Sequence, residues 1–537
     1  MTTREFIVVG SGMTGAHAAR TLVDAGRDVL MVDAGVRPRP GEAQPPETDF
    51  ISARETDPEQ HRYFLGDRFE GVPWGETEHT LTPPRQHIVE GAARWLPLVT
   101  ETFQRMESLA YGGLGAGWGA GAAVYTRPEL SAMGLDAASL APAYREIARR
   151  IGLAAESDDA TALCGEGLED TQAPLHMDGS IAAIHAAYRR RRNQLNARGI
   201  VMGKVPMAVL TSDLEDRRGT AYTDMEFWAD HGHSVYRPWM TVESLRAAPR
   251  FEYRGGLLVT AFRERSDAIE IEAMRLEDGA LETFRGRRLV LGAGTLGTAR
   301  IVLRSMPGVP SLPLLSNGYC IAPCLHLRRL GRALERRRTS LGQLEMFFDP
   351  GRGGLDVRMV SLYTYRSLLL FKLVREVPLA LGDGLALMHA LSSAIVLATI
   401  NHPDHAAPGK LVRRLPDDRS PTGDALRVDF APTADERHDN DRAERAILSA
   451  MRKLGAPALK RQSMKPGSTV HYAGTLPFGD GERPFTLGTD GRLAGTLRVF
   501  VADGSGFRYL PSNGLTLTLM ANAHLVAKGL CARNDGD

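Results

Sequence analysis

Cysteine is scarce in this sequence of 537 residues: Cys164, Cys320, Cys324 and Cys531 are too few and too scattered for a disulfide framework. Cys320 and Cys324, with His326 close behind, have the spacing of half a metal site, yet no second pair follows; partly buried free thiols are the favoured reading. Net charge is nearly absent too. The 65 basic residues against 64 acidic ones leave +1, which gives no global field for nucleic acid or another strongly charged partner. Two basic runs, 189–192 and 336–338, lack interleaved aromatics and read as solvated helix faces. The opening MTTREFIVVG contains no h-region and no small-residue cleavage site, so a cytoplasmic location is expected.

What is present is the usage of an ordinary globular protein, 43% hydrophobic and 24% charged, at a length that implies two domains. Phe6 to Val9 is an aromatic and β-branched run that ends on glycine. Met13 to Ala25 reads as helix, Gly26 closes it, and Val29 to Asp33 reads as a second buried strand, giving a βαβ unit. A proline and glycine loop follows over Ala34 to Glu47, and Tyr111 to Gly121 is a second glycine-dense loop.

From about Asn193 the runs VPMAVLTS, HSVYRPWMTVESLRA, RGGLLVTAF and AIEIEAMRL read as short strands separated by turns. They lead to RRLVLGAGTLGTARIVLRS, a buried strand that runs through glycines into a helix, so a parallel sheet is completed by chain far from its start. Beyond Val309 the pattern changes, with strand-like LGQLEMFFD and a long apolar stretch from Leu368 to Ile400. Its part Gly384 to Ile400 is expected to be a buried helix, or one lining an apolar pocket, rather than a membrane span. Lys372 and Arg375, beside Leu368 to Phe371, leave a weak membrane-surface contact open.

The strongest local signal is GSGMTG, in which Gly10, Gly12 and Gly15 sit between the first strand and the first helix. The first glycine permits the tight turn, the second lets backbone approach a pyrophosphate, and the third lets helix and strand pack closely. The helix N-terminus then offers free N–H groups to phosphate, and Asp33 is placed to bind a ribose hydroxyl pair. A dinucleotide is expected. This fingerprint alone does not separate NAD from FAD.

Four blocks, in order FIVVGSGMTGAHAARTLVDAGRDVLMVDAG, YGGLGAGWGAG, LVLGAGTLGTARIVLRS and the tail from HYAGTLPFG to NGLTLTLMANA, resemble the FAD-dependent glucose-methanol-choline (GMC) oxidoreductases over nearly the whole chain. The resemblance implies an α/β fold with a discontinuous Rossmann-like FAD-binding domain over 1–130, 185–308 and 464–537, and a helical connection over 131–184. A substrate-binding domain with an antiparallel sheet and helices is expected over 309–463. It also implies that Gly112, Gly113, Gly115, Gly117, Trp118 and Gly119 line the flavin, although the family often carries asparagine at the Trp118 position. Gly294 belongs to the strand-to-helix turn near the dinucleotide, and Asp503 with Gly504 matches the strand end beside phosphate and ribityl chain.

Oxidising an alcohol by hydride transfer needs a base for the hydroxyl proton and a donor to hold the substrate oxygen. The resemblance places the base at His471 in HYAGT and the donor at Asn513 in PSNGLTLT, with Gly514, Leu515 and Thr516 leading the last helix toward the flavin's pyrimidine end. Imidazole suits the first role because its ordinary pKa lets it accept a proton at neutral pH, and an amide suits the second because it donates without competing for that proton. The expected activity is oxidation of the CH–OH group of a hydrophobic alcohol, with hydride passing to flavin N5 and O2 or another acceptor completing the cycle. Desaturation, a net non-redox rearrangement on the same fold, and a non-catalytic nucleotide-binding or membrane-docked protein are the alternatives. No metal and no nucleic acid are expected.

Overall fold

The computed structural model describes residues 3–39, 45–67, 81–306, 308, 311–364 and 378–533. Its first layer is a seven-stranded sheet. The strand Arg4–Val9 pairs in parallel with Val29–Val32 on one side and Leu281–Leu291 on the other. Phe251–Arg254 extends the sheet beyond Val29–Val32, and Val499–Val501 pairs in parallel with the end of Leu281–Leu291. The strands Ile269–Arg275 and Leu257–Glu264 complete it in antiparallel fashion.

The central strands read as unbroken apolar runs because both faces are covered. Phe6, Val8, Val29, Met31, Val290 and Phe500 pack with one set of helices, Ile7, Val9, Leu30, Val32, Leu289 and Leu291 with the other core. Helix Met13–Asp24 carries alanines at 16, 18 and 19, all fully buried, and meets Ala523, Val526, Ala527 and Leu530 of the last helix, Thr516–Ala532. Small side chains let these two helices approach closely above the dinucleotide turn.

The second layer is a six-stranded antiparallel sheet in the order Gln462–Ser463, Gly318–Leu325, Ile395–His402, Arg358–Thr364, Leu344–Phe348, Ile200–Gly203. Helices Gly179–Asn196 and Ala434–Lys453 cover one face, burying Cys320, Cys324, Met346, Val360 and Ile400 among Ile181, Ile184, Ile447 and Met451. Period-2 alternation puts Glu345, Ser361, Thr399 and Asn401 on the other face, together with Ile321, Phe347, Met359 and Leu397. Glu345, Ser361 and Thr399 share one rung there, and Tyr319 lies beside Asn401 on the next.

Three local expectations change. HSVYRPWMTVESLRA contains the helix Pro238–Leu245, because proline at its first position and a Trp-Met-Thr-Val-Glu run outweigh the β-branched residues. VPMAVLTS makes only isolated bridges at Met207 and Val209. Gly384 to Ile400 is not one helix: Leu381–Ser392 is helical and exposes Leu381, Leu385 and Leu387, whereas Ile395–His402 is an interior strand. Ile200–Gly203 joins the second sheet through Leu344–Phe348, although it falls within the 185–308 segment assigned to the dinucleotide domain. Residues 368–375, which carry the membrane-surface expectation, lie outside the described residues. Among the described residues no helix is long and apolar enough to cross a membrane.

Candidate active site

A cavity of about 490 Å³ lies where the C-terminal ends of the parallel strands meet the glycine loops. Gly10, Gly12 and Asp33 line it from the first βαβ unit; Gly113, Gly117, Trp118 and Gly119 from the second glycine loop. Gly294, Asp503 and Gly504 also line it, as do His471, Leu515 and Thr516 from the tail. Gly15, Asn513 and Gly514 do not.

Gly15 serves packing instead. A Cβ there would lie 1.9 Å from the Gly10 carbonyl oxygen, so only glycine lets the helix start this close to the strand. In the second loop a Cβ on Gly115 would come within 2.9 Å of both Met13 and Pro238, which explains the glycine at that position.

Three helices begin at the cavity: Met13–Asp24, Thr295–Ser305 and Thr516–Ala532. Their N-cap residues, Gly12, Gly294 and Leu515, supply no side-chain hydrogen bond. Each helix therefore presents backbone N–H groups and the positive end of its dipole with nothing from its own cap to satisfy them. Such ends suit a ligand with a pyrophosphate and a carbonyl-bearing ring. FAD fits this donor set, and the glycines leave the backbone bare where it would approach.

Asp33 is held by Ser11, whose N–H donates at 3.2 Å and whose hydroxyl donates to the other carboxylate oxygen, and by the Tyr253 hydroxyl at 3.0 Å. Burial pushes its carboxyl above the usual range, against those three bonds. Asp503 accepts from the Thr298 hydroxyl at 2.6 Å and from the Ser505 N–H at 3.0 Å, closing the turn Gly504–Gly506 while facing the cavity. The Trp118 indole donates to the Tyr236 carbonyl at 2.7 Å, and the Arg237 guanidinium donates to the Trp118 carbonyl at 2.6 Å. Thus tryptophan at this position is pinned on both sides.

His471 follows Val470, a β-branched residue at φ 63°, a backbone conformation that such a side chain adopts only under constraint. Its Nδ1 lies 3.0 Å from the Asn317 side-chain oxygen, and its Nε2 has no hydrogen-bond partner among the described residues. Burial lowers its pKa from 6.5 to about 4, so the ring is neutral at neutral pH. Asn513 is fully buried: its side-chain amide N–H donates to the Leu163 carbonyl at 3.3 Å, its main-chain carbonyl accepts from the Tyr125 hydroxyl, and its side-chain oxygen has no partner among the described residues. Asn317 and Ser11 were invisible as site residues in the sequence. The run SNG around Asn317 reads as a turn, and its partners lie 85 or more positions away.

A pH dependence follows from burial. His17, buried against Tyr236, is lowered to about 3, and His471 to about 4, both from 6.5. The unfolded chain therefore takes up these protons first. Stability is full above about pH 6.5 and drains as pH falls toward the folded values. Melting temperature followed from pH 7 downward should drop through this window; a flat profile to pH 4 would contradict the neutral, buried state of both rings.

Cys320 and Cys324 are free thiols on the helix-covered face of the second sheet, and no group of three or more metal-ligating side chains occurs among the described residues.

No family model matches the chain. Over 99% of its length it is 25% identical to 6'''-hydroxyparomomycin C oxidase of Streptomyces lividus, covering 92% of that protein. Over 98% it is 22% identical to paromamine 6'-oxidase of Streptomyces fradiae, covering 91% of it. Among solved structures, pyridoxine 4-oxidase from Mesorbium loti superposes with a TM-score of 0.57 at 14% identity, over 99% of this chain and all of that one. The last likeness establishes the fold.

Proposed function

We propose that this chain, a GMC-type oxidoreductase that takes FAD and oxidises an alcohol, acts on the CH–OH group of a polar, hydroxylated small molecule with His471 as its base. Bound FAD supplies the acceptor for the hydride that leaves the carbinol carbon. The chain supplies the rest. The neutral His471 ring offers Nε2 to the substrate hydroxyl and carries the proton away as the C–H bond breaks. The uncapped helix ends and the bare glycine backbone hold the cofactor, and the pinned Trp118 closes the cavity wall. Donation to the substrate oxygen by Asn513 remains part of the proposal, and it requires the amide to exchange the Leu163 carbonyl for substrate.

The observation that carries this reading is a single cavity shared by the dinucleotide fingerprint and His471. For the substrate, two facts favour a polar molecule over the hydrophobic alcohol expected from the apolar stretch. The described part of that stretch divides into a helix with exposed leucines and an interior strand. The strand's other face carries the polar Thr399 and Asn401 beside Ser361, Glu345 and Tyr319, and its His402 end lies next to Asn317 and hence His471. The names of the two relatives point to the same class.

An anaerobic screen tests it. Paromamine, 6'''-hydroxyparomomycin C and pyridoxine, set against long-chain primary alcohols, should separate by how fast each bleaches the flavin band. Admitting air afterwards reports whether O2 restores it. Bleaching by the long-chain alcohols alone would overturn the polar assignment.

A further inference from the structure

We propose that Asn317 is a positioning residue that fixes His471 in its Nδ1–H tautomer and so leaves Nε2 as the basic nitrogen on the cavity side. The inference rests on His471 as the base, and it concerns which of its two nitrogens accepts the proton.

The orientation of the Asn317 amide is set by its surroundings. Its nitrogen donates to the His402 carbonyl at 2.8 Å and the Pro511 carbonyl at 2.9 Å, with the Leu510 carbonyl at 3.5 Å. Carbonyl oxygens accept and never donate, so the –NH2 group must face them. Turning the amide over would set its oxygen against three others. The remaining atom, Oδ1, then faces His471 Nδ1 at 3.0 Å, and it accepts only. Nδ1 must therefore carry a proton. In a neutral ring the lone pair is then on Nε2. Asn317 is 1% exposed, so water does not compete for these bonds.

Three separate segments meet on this one side chain: the end of the strand Ile395–His402, the chain just before Asn513, and the turn that carries His471. The amide thus sets the ring's tautomer and its direction together. The titratable neighbours are all engaged elsewhere. The His402 ring is bonded to Glu444, Asp404 is paired with Lys410, and the Tyr472 hydroxyl donates to the Gly467 carbonyl. Among the described residues no charged side chain acts on His471, whose proton affinity is set by burial.

The experiment follows the pH profile of anaerobic flavin bleaching in FAD-loaded Asn317→Ala and Asn317→Asp, beside His471→Ala. Losing the acceptor removes a bond to the protonated ring, so Asn317→Ala should lower the limiting rate about 10- to 100-fold, less than the loss of the base itself, and shift the acid midpoint down. A carboxylate at 317 stabilises imidazolium, so Asn317→Asp should shift the midpoint up, at a cost in stability because its second oxygen replaces the –NH2 group among the three carbonyls. A merely structural role would not move the two variants in opposite directions. If His471→Ala keeps its rate, the base assignment itself fails. If His471→Ala is slow while both Asn317 variants keep the wild-type rate and midpoint, only the tautomer lock fails. Should the variants not load FAD, nitrogen NMR of the ¹⁵N-histidine-labelled wild-type holoenzyme decides, with His471 assigned by its absence in His471→Ala. An unprotonated Nε2 is expected, and an unprotonated Nδ1 overturns the proposal.

Discussion

Replacing His471 by alanine should slow anaerobic bleaching of the bound flavin by about 10²–10⁴-fold, with substrate saturation little changed. The size follows from the chemistry, since alanine leaves the hydroxyl proton with no acceptor in a cavity whose described lining holds no other imidazole. FAD should remain bound, because the groups proposed to hold it are helix ends and glycine backbone rather than the ring. Stopped-flow bleaching with a substrate found in the screen measures the rate, and the visible spectrum reports the cofactor. A variant within threefold of the parent, far short of the roughly 100-fold smallest effect expected of a lost base, would remove His471 from the chemistry.

The largest effect on stability is expected at Arg300, in the helix that follows the Gly294 turn. Its guanidinium donates to the Leu96 and Pro97 carbonyls at 3.0 and 2.9 Å and to the Glu107 carboxylate at 3.0 Å. The side chains are 2% and 7% exposed. Arg300→Ala leaves the buried Glu107 carboxylate with only the longer contact to the partly exposed Arg105, at 3.4 Å, which costs up to about 3–5 kcal/mol. Burial already holds the arginine's proton affinity down, so the pair survives through geometry rather than through excess attraction. Removing both charges together, as Arg300→Met with Glu107→Leu, should therefore cost less than Arg300→Ala alone. Urea midpoints of the parent and the two variants decide: equal losses for the single and double variants would mean that the ion pair is not what the site depends on.

Much of the first sheet was legible because its signals are local. FIVV, VLMV and LVL are apolar on both faces only if a parallel sheet buries them, and GSGMTG sits at the one kind of turn that needs all three glycines. Of the second sheet only Leu344–Phe348 was readable as a strand; Ile395–His402 was read into a helix because its apolar run continues that of Leu381–Ser392, and which of its faces is covered depends on helices from residues 179–196 and 434–453. The helix Pro238–Leu245 was misread because its β-branched residues speak for a strand, while its N1 proline decides. Asn317 carried no signal at all. Its bonds reach His402, Pro511 and His471, and no local pattern encodes partners that far away.

The parallel sheet has a consequence for the order of events when the chain is made. Arg4–Val9 is made before its neighbour Leu281–Leu291, which follows only after some 270 residues, and Val499–Val501 pairs with that neighbour only some 200 residues later still. At about 5–20 residues per second the earliest strand waits roughly 25 to 100 seconds for the latest one. The cavity floor needs both, since Asp503 and the helix after Leu515 arrive last. The nascent βαβ unit must therefore keep its apolar strands from other partners until those residues are made, and the cofactor cradle is complete only once the helix Thr516–Ala532 is in place.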